Sequence, residues 1–150
     1  MKILFVCTGN TCRSNMAEAI FNNISKMDNV QVDSAGISIV PSSLASKHTS
    51  DLIKHNYGID ISKREAVQLT KDMLKEADLV LTMTTYMKEV LVNNMPEFNE
   101  KIYSLREYVG KKGDIVDPFG GNIDVYSQTF EMLNEDISSL VDKIKEDTSI

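Results

Sequence analysis

Residues 2–15 read KILFVCTGNTCRSN. Residues 2–6, with the unbroken apolar run Ile3-Leu4-Phe5-Val6, predict a fully buried strand, and Met16, Ala17, Ile20, Phe21 and Ile24 recur behind it at helical spacing. A strand, a turn holding Gly9, and a helix in that order make the first βα unit of a parallel sheet. Ligands of open α/β sheets bind outside the carboxyl ends of the strands, and this turn sits at such an end. Both cysteines of the chain, Cys7 and Cys12, lie in the turn beside Arg13.

Outward from this unit, strand-like runs alternate with helical ones. Residues 30–33 predict a short strand leading into Ser34-Ala35-Gly36, then a helix over about 43–56, and a weaker one after Thr70 as N-cap, from Lys71 to Glu76. Residues 78–83 read as a central strand, 85–94 as a helix and 102–104 as a last short strand. A Gly-rich loop over 109–122 precedes a long amphipathic helix over about 123–146, with Val125, Phe130, Leu133, Ile137, Leu140, Val141 and Ile144 on one stripe. The expectation is one α/β domain over residues 1–150.

Composition narrows the chemistry. A net charge of -6 argues against a nucleic-acid binder, which needs Lys and Arg to neutralise phosphates. No stretch approaches the roughly 18 apolar residues of a membrane span, and residues 3–6 are too short for a signal peptide's apolar region. A cytoplasmic location is therefore expected, where a close cysteine pair is reactive or metal-binding and seldom a structural disulfide. His48 and His55 have no third ligand nearby in sequence, so no metal site is expected from them.

The turn itself is built for an anion. Backbone N–H groups of Thr8, Gly9, Asn10, Thr11 and Cys12 can curl inward at a helix N-terminus, and Arg13 offers a planar fork for two oxygens of a tetrahedral group. The same field favours the Cys7 thiolate as a nucleophile. A displacement at phosphorus also needs a proton donor. Asp117, in Asp114-Ile-Val-Asp-Pro-Phe-Gly-Gly121, is preferred to Asp114 because Pro118 fixes the backbone behind it and Phe119 can wall the pocket, raising the carboxyl pKa by excluding water. The competing readings are a buried core thiol for Cys7 and a plain turn residue for Asp117.

Cys7 to Ser14 (CTGNTCRS), with Ser34-Ala-Gly36 and Asp117-Pro-Phe119, closely resembles the low-molecular-weight protein-tyrosine phosphatase family along essentially the whole chain. Thr11, Thr82-Met83 and Asp117 to Gly121 resemble its bacterial protein-arginine phosphatase branch; tyrosine-directed members usually carry an aliphatic residue at the position of Thr11 and often a second aromatic at that of Gly120. The resemblance implies a three-layer sandwich: a four-stranded parallel sheet, helices on both faces, and a phosphate-binding loop after the first strand. It also implies a phosphocysteine mechanism without cofactor or metal. Cys7 is the nucleophile, Arg13 the phosphate fork and Asp117 the general acid, then base. Asn10 and Ser34 hold the loop's shape, Ser14 stabilises the thiolate, Thr11 recognises phosphoarginine or orients water, and Cys12 traps oxidised Cys7 as a reversible disulfide.

The implied substrates are proteins carrying phosphoarginine or, alternatively, phosphotyrosine; the product is inorganic phosphate, and the expected state is a monomer. An arsenate reductase would need a cysteine after Cys12, and none follows. A phosphocysteine carrier has no use for Arg13 and Asp117 together. One departure stands out: the family's proline after the Arg-Ser pair is Asn15 here, for which slightly poorer preorganisation is expected.

Overall fold

The computed structural model describes residues 1–148 and shows a four-stranded, all-parallel sheet in the order β2-β1-β3-β4. The strands are β1 (Lys2–Cys7), β2 (Gln31–Gly36), β3 (Leu79–Thr82) and β4 (Ile102–Ser104). Between and after them run α1 (Arg13–Ile24), α2 (Lys47–Tyr57), α3 (Lys71–Glu76), α4 (Thr85–Asn94), α5 (Leu105–Tyr108) and α6 (Ile123–Thr148). The chain leaves β1 toward β2 on one side and returns past it to β3 on the other. The carboxyl end of β1, beside β3, is therefore the topological switch point of the sheet.

Period-two alternation in the central strand sorts the two faces. Ile3, Phe5 and Cys7 join Leu79 and Leu81 under α1, α2 and α6, while Leu4 and Val6 join Val80 and Ile102 under α3 and α4. Residues of β1 from Ile3 onward are buried on both sides, which is why the strand reads as one apolar run. In α6 the stripe Leu133, Ile137, Leu140 and Ile144 is buried at 0–1% exposure, so the long helix covers α1 with an unbroken apolar face.

Beyond shifts of one or two residues at element ends, three features differ from the sequence reading. The helix expected from 43 begins at Lys47, because Val40 to Ser43 closes a turn, Leu44 bridges to Glu65, and the Ser46 side chain accepts the Thr49 N–H as N-cap. Ser34, Ala35 and Gly36 belong to β2, pairing with Phe5, Val6 and Cys7, so the strand runs into the site. At the start of α6 the deeply buried position is taken by Tyr126, with Val125 at the margin of the stripe. Two short elements carry no apolar periodicity of their own: a 3-10 turn over Pro96–Lys101 and α5, which a capping box between Ser104 and Glu107 starts. Among the described residues no helix is long and apolar enough to cross a membrane.

Candidate active site

Strand β1 ends at Cys7 and α1 begins at Arg13, leaving a tight loop in which Asn10 is left-handed at φ 56°. Gly9 does not carry the positive φ; the asparagine does, because its side chain is held on every side. Its Nδ2 donates to Ser14 Oγ (2.7 Å), Asn15 Oδ1 (2.9 Å) and Ser34 Oγ (3.0 Å), and its Oδ1 accepts from the Val67 N–H (2.9 Å) and from Arg64 Nη1 (3.0 Å). The Asn10 N–H turns inward to the Cys7 sulfur at 3.2 Å, and Ser14 Oγ lies 2.9 Å from the same sulfur. Cys7 is thus buried, yet it sits among polar groups at a cavity wall and not in apolar packing alone.

Gly36 is required by this closeness: a Cβ there would lie 2.7 Å from the Thr8 carbonyl oxygen and 3.0 Å from the Asn10 nitrogen. The first turn of α1 holds no acidic residue, which leaves its N-terminus open to an anion.

Arg13 is 5% exposed. Nη1 donates to the Ile115 carbonyl at 3.1 Å, and Nη2 lies 3.6 Å from Asp117 Oδ2. The loop that brings Asp117 here is tied down along its length. Ile115 N–H donates to the Met83 carbonyl at the end of β3, Thr129 Oγ1 donates to the Val116 carbonyl, and a turn from Pro118 to Gly121 places Gly120 at φ 78°. Asp114, the rival acid, faces away from the cavity and accepts from the Thr85 N–H (2.8 Å) and hydroxyl (3.2 Å) at the start of α4.

These side chains surround one cavity of about 400 Å³ whose lining includes Cys7, Thr8, Gly9, Thr11, Cys12, Arg13, Asp117 and Phe119. Ser38, Val40 and Ser43, which sequence reading did not single out, complete it. Phe119 stands at the mouth and is 82% exposed, with the Asp117 side chain 58% exposed. The expected exclusion of water from the carboxyl by Phe119 does not hold: the ring lies out in solvent and the carboxylate takes the Phe119 N–H at 3.0 Å.

Cys12 lies 3.5 Å from Ser46 Oγ and 3.6 Å from the Tyr126 hydroxyl, and both cysteines are free thiols. Burial holds the Tyr126 hydroxyl above its ordinary pKa, with the Cys12 bond and the charge of Asp117 acting in the same direction and Ser46 opposing. His48 packs its ring 4.9 Å from that of Tyr126, while His55 is exposed. Asn15 Oδ1 also accepts from Arg64 Nη1 at 3.3 Å, a tether that sequence reading did not foresee, while its Nδ2 is buried without a hydrogen-bond partner. Arg64 and Glu18, paired at 3.2 Å and both touching Ser34, were missed as well. They come from an unpatterned stretch and the exposed side of α1, and only folding brings them together.

The model of the family described as low molecular weight phosphotyrosine protein phosphatase matches residues 2–150. The chain belongs to this family. A protein-arginine-phosphatase of Bacillus subtilis is 41% identical over 152 residues, covering 98% of this chain and 99% of that protein. The low molecular weight protein-tyrosine-phosphatase PtpB of Staphylococcus haemolyticus is 43% identical over 134 residues, 89% of this chain and 92% of its own. A solved structure of the YwlE arginine phosphatase, a mutant with a phosphorylated active-site serine, superposes with a TM-score of 0.91 at 39% identity, covering 99% of this chain and 98% of that one. The chain is accordingly a cysteine-dependent protein phosphatase of the low-molecular-weight type.

Proposed function

We propose that this phosphatase hydrolyses phosphoarginine in proteins, with Cys7 as nucleophile. The observation that carries the reading is the convergence on one cavity of Cys7, the buried Arg13 and the carboxylate of Asp117 beside it. An arriving phosphoryl dianion takes the free edge of the Arg13 fork and the inward N–H groups of residues 8–12, while the Ile115 carbonyl keeps the guanidinium aimed. The dianion thereby replaces Asp117 as partner of the guanidinium.

Cys7 sulfur attacks phosphorus in line and an S–P bond forms as the P–N bond breaks. Asp117 gives its proton to the departing guanidinium nitrogen. In the second step Asp117, now a carboxylate, takes a proton from water; the water oxygen attacks phosphorus, the S–P bond breaks, and inorganic phosphate leaves with the thiolate restored. Ser14 and the Asn10 N–H bond the sulfur in both states, which lowers its cost as a leaving group. Asn10 and Ser34 hold the loop, Thr11 supplies a hydroxyl to the cavity for the guanidinium or the water, and Cys12 in the same wall is the partner that traps oxidised Cys7.

Phosphotyrosine is the second reading, favoured by the apolar mouth: Val40, 70% exposed, and Phe119 flank the opening and could sandwich an aryl ring. Side-by-side kinetics on one peptide bearing phosphoarginine or phosphotyrosine separates the two. A kcat/KM at least about tenfold higher for phosphoarginine is expected, roughly 1.4 kcal/mol of transition-state preference; equal or reversed values would favour the tyrosine reading.

A further inference from the structure

Behind the phosphate loop, on the side away from the cavity, Arg64 fills a site that the chemistry above does not use. Nη1 donates to Asn10 Oδ1 (3.0 Å) and Asn15 Oδ1 (3.3 Å); Nη2 reaches Glu18 Oε1 (3.2 Å) and Ser34 Oγ (2.8 Å). Glu18 in turn accepts the Ser34 hydroxyl at 2.6 Å, so the cation is fixed from two sides. The Arg64 side chain is 23% exposed and that of Glu18 24%, so the pair is shielded enough for its geometry to be held.

The hydrogen bonds leaving this pair have a direction. Asn10 Oδ1 accepts from Arg64 and from the Val67 N–H, two donors that leave the side-chain amide only one orientation. Its Nδ2 then brings two hydrogens to three acceptors, Ser14 Oγ at 2.7 Å being the shortest, with Asn15 Oδ1 at 2.9 Å and Ser34 Oγ at 3.0 Å. A Cys7 thiolate has no proton to give, so across the 2.9 Å contact it is Ser14 Oγ, itself accepting from Asn10, that donates to the sulfur. We propose that Arg64 is a positioning residue for the reaction: through Asn10 it orients Ser14 as a donor to Cys7, and through Asn15 it provides the fixing of the first helical turn that the family's proline supplies elsewhere. A charged donor at the head of the chain strengthens each bond after it.

This rests on Cys7 being the nucleophile, and a generic aryl phosphate serves as probe because its turnover does not depend on phosphoarginine being the substrate. Arg64→Met, Arg64→Lys and Glu18→Gln are compared with wild type for kcat, KM and inhibition by inorganic phosphate, each corrected for folded fraction by near-ultraviolet circular dichroism. The expected result is a kcat per folded molecule lowered roughly 10- to 100-fold in Arg64→Met, as for displaced reacting groups. Arg64→Lys should regain part of the loss, and phosphate inhibition should change much less because Arg13 is untouched. A merely structural role predicts a lower folded fraction with kcat per folded molecule within twofold of wild type in all three, and that result overturns the proposal. Should Arg64→Met not fold, Arg64→Lys and Glu18→Gln decide by the same twofold criterion. Cys7→Ser, run alongside, tests the reading beneath: retained turnover there would sink the nucleophile itself, whereas a dead Cys7→Ser with unchanged Arg64 variants sinks only the inference.

Discussion

Thr11 lines the cavity from the loop side with its hydroxyl 3.7 Å from the Cys12 sulfur, and Asp117 closes the far side next to Arg13. Each supports a separate expectation. Thr11→Ile keeps the branched shape and removes the hydroxyl, so the ratio of kcat/KM for phosphoarginine over phosphotyrosine peptide should fall roughly tenfold, the scale of one lost polar contact in a site. An unchanged ratio would remove Thr11 from substrate choice. Asp117→Asn keeps size and loses the transferable proton; kcat/KM on phosphoarginine, which reports phosphorylation of Cys7 and not the later hydrolysis, should fall by about 10²-fold or more, and by less on an aryl phosphate whose leaving group needs no proton. Equal losses on both substrates would mean that Asp117 acts by positioning Arg13 and not as an acid.

Among the elements, the short ones show what local pattern hides. Helix α5 exists because Ser104 and Glu107 cap each other, and Glu107 also binds Lys88 of α4 with both oxygens at 2.8 Å. The Lys88 bond is the largest influence holding the Glu107 carboxyl below its ordinary pKa, with burial opposing, and the Ser104 N–H and the Lys88 charge adding to the fall. A carboxyl depressed in the folded state stabilises at any pH above its unfolded value and loses that contribution as pH falls through the folded one. The melting temperature of Glu107→Gln should therefore lie below wild type at neutral pH, with the two converging as the medium is acidified past the carboxylate range. A gap independent of pH would point to lost packing. Ser104→Ala, which removes the cap, should cost about 1 kcal/mol in denaturant unfolding.

The fold and the meeting of Cys7, Arg13 and Asp117 at one cavity were legible for the same reason: β1 and β3 are unbroken buried apolar runs, α6 is long and periodic, and the three residues sit in motifs a few residues wide. Arg64, Glu18, Tyr126 and Ser43 were not, since their meaning lies in contacts across the chain that no local spacing encodes. Phe119 shows the opposite error: a residue correctly placed at the mouth was given a water-excluding role that an 82% exposed ring cannot perform.

Across the whole molecule the site depends on α6 being locked to the segment after β4, because Thr129 of α6 holds the loop that carries Asp117. Asp136, 0% exposed, provides that lock by pairing with Arg106 at 3.1 Å and Lys111 at 2.7 Å. Removing one partner of a buried pair strands the others, though both cations here reach some water. Asp136→Ala should cost about 3 kcal/mol and lower the melting temperature by roughly 6–12 °C; a change under 2 °C would show the lock to be dispensable. The central claim is chemical, and rapid acid quench of the enzyme with an aryl phosphate, followed by mass spectrometry of the peptide containing residues 7–13, tests it most directly. The account predicts a phosphoryl group on the sulfur of Cys7 during turnover, accumulating further when Asp117→Ala slows its hydrolysis. Turnover with no adduct at Cys7, or undiminished turnover in Cys7→Ser, would contradict it.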